Sequence, residues 1–174
     1  MTESELFAHY EKIYFYEQSR KEQIFSRLNI PLAVKVALVG FYAVIISSDY
    51  KALSLGGSIW MWVVLAFSVA ALIVGSYFFV DSLLGRMDKA VATPNALENW
   101  RQSLILYYGD EVACMDIVAA EIRRALYIDY MNCASILTVN NDRKSSSLYY
   151  CNVALIVSAA FAAIAYAIVK IPNL

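Results

Sequence analysis

The chain is short of the side chains from which active sites are assembled. Its only histidine, His9, has no ligand-type neighbour and reads as structural. Cys114, Cys133 and Cys151 stand far apart, with no CxxC and no Cys/His cluster. An odd count without paired spacing argues against a disulfide framework and against a zinc site, so they read as reduced thiols packed between helices. GxSxG, Walker-type glycine loops, HExxH and DxD clusters are all missing. Catalysis needs a nucleophile, a base and a stabiliser converging on one point, and the supply is too thin for that. The expectation is therefore a protein that is not an enzyme and carries no metal or cofactor.

Charge is scarce too. Only 17% of the 174 residues are charged, while 60% are hydrophobic and the mean hydropathy is +0.54. Soluble domains are roughly a quarter charged. The net charge of −1 gives no global pull toward nucleic acid or anionic lipid, so such a partner must be met by a local patch.

The apolar excess is gathered in three blocks: 30–48, 58–80 and 148–169. Each is near the roughly 20 residues that cross a hydrocarbon core. Aromatic residues mark their ends, with Trp60 and Trp62 at one end of the second block, Tyr77, Phe78 and Phe79 at the other, and Tyr149 and Tyr150 opening the third. Such rings settle at the water boundary. A secretory signal peptide is not expected, because a charged segment of 29 residues precedes the first block. Lys12, Arg20, Lys21 and Arg27 lie before the first block and seven more Lys or Arg lie within 81–147, against Lys51 and Lys170 on the other side. The positive-inside rule then places the N-terminus in the cytosol and the C-terminus outside.

The expected fold class is an all-α membrane protein, with three transmembrane helices and a cytosolic helical portion, assembled as an oligomeric bundle. Its parts are a cytosolic amphipathic helix (1–28), a transmembrane helix pair (29–80), a cytosolic helical region (81–147), and a third transmembrane helix with a short tail (148–174).

Thr2 and Glu5 have capping-box spacing. Leu6, Tyr10, Ile13, Ile24 and Leu28 recur at helical steps, and Glu17 precedes Lys21 by four residues, the favourable order for an ion pair. Pro31 marks a boundary. Thr93-Pro94 starts another helix. Gly109 breaks it, and Asp110-Glu111 begin a further one, with Val112, Met115, Ala119, Ile122, Leu126 and Met131 along one side. Asn140, Asn141 and Ser145–Ser147 weaken helix propensity, which predicts a bend or loop ahead of the third span.

Within the first span, Ala33, Ala37, Gly40 and Ser47 share one side, the kind of face that lets backbones approach in lipid. Ala71 with Gly75, and Ala159, Ala163 and Ala167, offer similar four-residue steps in the other spans. Lys35, Tyr42 and Asp49 form a polar line at seven-residue intervals on a different side. Two readings stand. Lys35 snorkels to the cytosolic headgroups with Asp49 outside the membrane, or the line faces an aqueous path in an oligomer with Val39 and Ile46 as dewetting constrictions.

Basic pairs occur at Arg20-Lys21, Arg123-Arg124 and Arg143-Lys144, with tyrosines nearby in sequence. Clustered Arg and Lys bind phosphate, and aromatic rings add stacking for single-stranded nucleic acid. Against that, 81–147 holds nine acidic residues to seven basic ones, which suits a solvated or topology-setting role.

The segment YFYEQSRKEQIFSRLNIP leading into the first span, the closely spaced span pair and the capped helices after it resemble SLATT-type membrane effectors of bacterial antiviral systems. The third block is additional to the two-span layout of that family. The resemblance implies an oligomeric, ligand-gated channel in the bacterial inner membrane that depolarises it, with a nucleotidyltransferase as functional partner. In the related Hailong systems the signal is a DNA oligomer that holds the channel shut. The basic residues would then bind a nucleotide or a single-stranded DNA oligomer. A non-conducting anchor or assembly subunit that docks a partner protein is the alternative, and a holin-like lytic protein a third.

Overall fold

The computed structural model describes residues 2–48, 54–84, 88–109 and 112–171. They form five helices and, among the described residues, no strand: α1 (Glu3–Arg27), α2 (Asn29–Ser47), α3 (Leu55–Leu83), α4 (Pro94–Tyr108) and α5 (Cys114–Lys170). Helix starts are cut by local chemistry. The Thr2 backbone N–H donates to Glu5 Oε2 at 2.7 Å while Glu5 N–H donates to Thr2 Oγ1 at 3.3 Å, the reciprocal capping box. Thr93 caps α4 by accepting from the Ala96 N–H, with Pro94 at the first helical position.

Two expected breaks are not loops. Pro31 sits in the first turn of α2, and only Leu28, itself helical in φ and ψ, separates α1 from α2. A proline is tolerated in a first turn because its missing N–H has no intrahelical partner to lose there. The bend expected at 140–147 is also absent: α5 runs unbroken for 57 residues. Asn140, Asn141 and Ser147 take tertiary partners instead. The start of α5 is later than expected; Asp110 and Glu111 lie outside the described residues, and Val112 and Ala113 are turn residues.

The chain divides into two compact units, one of residues 1–22 and 86–142, the other of 23–85 and 143–174. In the first, α1 and α5 run parallel: Tyr10 meets Tyr127 edge-on at 5.3 Å, Tyr14 meets Tyr130 at 5.5 Å, and Asn141 lies against Glu17. Tyr14, Cys133, Ala134 and Leu137 form its small core, with Val91 packed on them. The buried stripe of α5 here passes through Val118, Cys133, Ala134 and Leu137, while the expected positions Val112, Met115 and Ala119 are exposed. Apolar residues surround this helix, so periodicity alone could not choose the packed side.

In the second unit α2, α3 and α5 make a three-helix bundle, with α3 antiparallel to the other two. Its core is Leu38, Tyr42 and Ile45 from α2, Met61 and Leu65 from α3, and Cys151, Leu155, Ala162, Ala165 and Val169 from α5. Gly75 matters for its closeness. A Cβ built there would lie 3.3 Å from the Ala154 Cβ and 3.5 Å from the Cys151 carbonyl oxygen. The alanine face of α5 is corrected, however: Ser158, Ala162 and Ala165 are buried, whereas Ala159 and Ala163 are exposed.

The outside of this bundle is apolar. Val36, Val44, Phe67, Ile73, Ile156 and Ile164 are all exposed. An exposed apolar surface of this extent is expected to meet lipid or another protein, and α2, α3 and α5 are each part of a helical stretch long and apolar enough to cross a membrane. Exposed Trp60 and Tyr77 on α3 are 17 residues apart, which is about 26 Å along the axis. That is close to the ~30 Å hydrocarbon thickness between aromatic belts.

Candidate functional site

The polar line of α2 turns inward. Tyr42 is buried, and its hydroxyl lies 2.8 Å from Ser68 Oγ on α3 and 2.7 Å from Ser158 Oγ on α5. The serines close the knot: Ser68 Oγ donates to the Ser158 carbonyl at 2.6 Å, and Ser158 Oγ donates to the Ser68 carbonyl at 2.9 Å. Each serine proton is spent on a carbonyl, so the tyrosine proton goes to one serine oxygen. All three spans thus meet at one satisfied cluster of neutral hydroxyls, which apolar surroundings demand because nothing else there can hydrogen-bond.

Lys35, half-buried at the edge of the same face, places its Nζ 3.8 Å over the Phe79 ring. This is a cation–π contact within the chain. Val39 and Ile46 do not join this line. Both are about half exposed, because the buried side of α2 is centred on Pro31, Leu38, Tyr42 and Ile45 and these two fall beyond its edge. Asp49 lies outside the described residues. The small face of Ala33, Ala37, Gly40 and Ser47 is exposed on the opposite side of the helix, and a Cβ at Gly40 would meet nothing within 4 Å.

Within the first unit, Arg20, Lys21, Arg123 and Arg124 do not form one cluster. Arg20 bonds Asp142 at 2.7 Å and Lys21 bonds Asp88 at 2.6 Å. The expected Glu17–Lys21 pair is therefore replaced: Glu17 is buried and accepts from Asn141 Nδ2 at 2.8 Å, with Arg20 at 3.5 Å. Arg123 and Arg124 are exposed and form no ion pair among the described residues. They stand 19 and 18 residues before Asp142 on α5, about 27 Å or more along the helix from the Arg20 level. In the other unit Arg143 pairs with Asp81, and Lys144 is buried with its Nζ 5.0 Å over the Phe25 ring. Tyr127 and Tyr130 are likewise occupied, by Tyr10 and by Phe7 and Tyr14.

Ser68, Ser158 and the Glu17–Asn141 pair are not among the residues expected from the sequence. Serines inside apolar blocks were a signal for the first two. Nothing local marked the last, whose members are 124 positions apart.

Fold and site together define the class, an all-α protein with three helices long and apolar enough to span a membrane. No known protein family, curated protein or solved structure matches the chain.

Proposed function

We propose that the protein is an oligomeric membrane effector of bacterial antiphage defence, a channel of the inner membrane opened or closed by a nucleotide or DNA-oligomer signal. The observation that carries this reading is the uncovered small-residue side of α2. One side of that helix is used up in its own bundle, while Ala33, Ala37, Gly40 and Ser47 remain free for close packing against a second copy. Three narrow spans cannot enclose a pathway alone, so conduction requires such self-association. Val39 and Ile46 lie between the packed side and the small-residue side, and in an oligomer they become the apolar constriction. Lys35 and Tyr42 then act from behind it, holding the helix in place. The N-terminus is cytosolic, and the ligand contacts narrow to Arg123 and Arg124, the exposed candidates without a carboxylate partner among the described residues; Lys144 also lacks one but is buried.

A second reading rests on a different observation. Leu106 and Tyr107 at the end of α4, and Val112 and Met115 beside them, are strongly exposed, which suits a non-conducting anchor that docks a partner protein. Flux through the full chain in liposomes separates the two. The channel reading expects wild-type flux, loss of flux and of self-association in Gly40→Leu, and reaction of Ile46→Cys with aqueous thiol reagents in a Cys114→Ser background. A chain that stays monomeric and passes no ions overturns the channel and leaves the anchor.

A further inference from the structure

A groove of about 270 Å³ opens where the first and third apolar blocks begin, lined by Arg27, Ile30, Pro31, Ser145, Leu148, Tyr149 and Asn152. Its floor is apolar, since Pro31 and Leu148 are buried. Its rim is polar: Arg27, Ser145, Tyr149 and Asn152 are exposed. No acidic residue lines it, and Arg27 has no ion pair among the described residues. Asn152 is the second anomaly. It lies inside the third apolar block, exposed, and its amide has no hydrogen bond among the described residues. A polar group left unmatched beside hydrocarbon is costly.

We propose that this groove binds one anionic phospholipid of the leaflet on the α1 side. The guanidinium of Arg27 takes the phosphate, which it can bond in a fork. The Tyr149 and Ser145 hydroxyls complete the headgroup shell, the Asn152 amide donates to an ester carbonyl, and an acyl chain lies along Ile30, Pro31 and Leu148. The dimensions agree. Ser145 to Asn152 spans seven residues, about 10 Å of helix, enough to cross the roughly 5–8 Å headgroup layer of one leaflet and reach the edge of its hydrocarbon. The site is separate from conduction, and its test reads lipid retention alone.

The experiment is native mass spectrometry of the full chain released from nonionic detergent, titrated in turn with phosphatidylglycerol, phosphatidylcholine and inorganic phosphate. The first phosphatidylglycerol is expected to be retained about fivefold better than phosphatidylcholine, the factor that one interfacial cation confers. Arg27→Gln removes that preference, Arg27→Lys keeps most of it, and Lys12→Gln, an equal loss of charge on an exposed part of α1, leaves it intact. Asn152→Leu weakens both lipids alike. Circular dichroism of each lipid-free variant shows that it has folded. Equal retention of the two lipids by wild type, or an unchanged preference in Arg27→Gln, overturns the proposal. Displacement of the lipid by inorganic phosphate at equal concentration overturns the lipid as the source and leaves a soluble-phosphate site.

Discussion

The central polar contacts that join helices differ in kind between the two units. In the three-helix bundle the crossing point is built from the hydroxyls of Tyr42, Ser68 and Ser158, all neutral and satisfied by one another and by two carbonyls. In the other unit the links between α1 and α5 are ionic or charge-assisted: Asn141 on buried Glu17, Arg20 on Asp142. The difference follows from what each surface meets. A charge beside hydrocarbon has no water to fall back on, whereas Asp142 and Arg20 remain partly exposed and keep solvent. A polar contact that fails is therefore cheap when its atoms are neutral and doubly matched, and expensive when it strands a buried charge.

Asn141→Leu attacks that contrast where the effect is largest. It takes both short donors from Glu17, one to the carboxylate and one to the backbone carbonyl, and leaves Arg20 at 3.5 Å. The expected loss is about 3 kcal/mol in denaturant unfolding of the full chain in detergent. Glu17→Leu combined with Asn141→Leu should recover part of it, because the stranded charge is gone as well. No recovery in the double variant would mean that shape, not charge, sets the cost.

Tyr42→Phe is the counterpart in the bundle, and its effect is smaller. It deletes one hydroxyl but leaves both serine-to-carbonyl bonds standing, so the expected loss is about 0.6 kcal/mol, the average for a hydrogen bond between membrane helices. A loss as large as that of Asn141→Leu would break the distinction drawn between neutral and charged burial.

The smallest effect belongs to a pair that buries nothing. Glu98 on α4 is bonded by Arg101 at 2.7 and 2.8 Å and by Gln102, and these hydrogen bonds hold its carboxyl down to about 2. A depressed carboxylate stabilises above its ordinary value near 4.5 and loses that contribution as pH falls through about 2. Helicity followed by circular dichroism should then differ no more between wild type and Glu98→Gln at pH 5 than at pH 7, and the two should converge only near pH 2. Convergence already at pH 5 would show that the pair does not hold in solution.

Much of this was legible in the linear order of residues. Block length and apolar content alone marked the spans, because crossing lipid needs a run of a definite length. Thr2 with Glu5, and Thr93 with Pro94, marked helix starts because a cap is local chemistry completed within four residues. Gly75 advertised a close approach by its size. What the order of residues could not decide was which side of each helix faces which neighbour. A face rich in small residues on α2 was as suited to its own bundle as to another chain, and only the packing of Tyr42 between Ser68 and Ser158 put it outside. The asparagines and serines of 140–147 carry a poor helix propensity, yet Asn140 bonds Asp88, Asn141 bonds Glu17 and Ser147 bonds Asp81, so α5 continues through them. Propensity is worth tenths of a kcal/mol per residue and acts locally. A buried hydrogen bond to a charge is worth more, and its partner stands far away in the chain, where only the fold can bring it near.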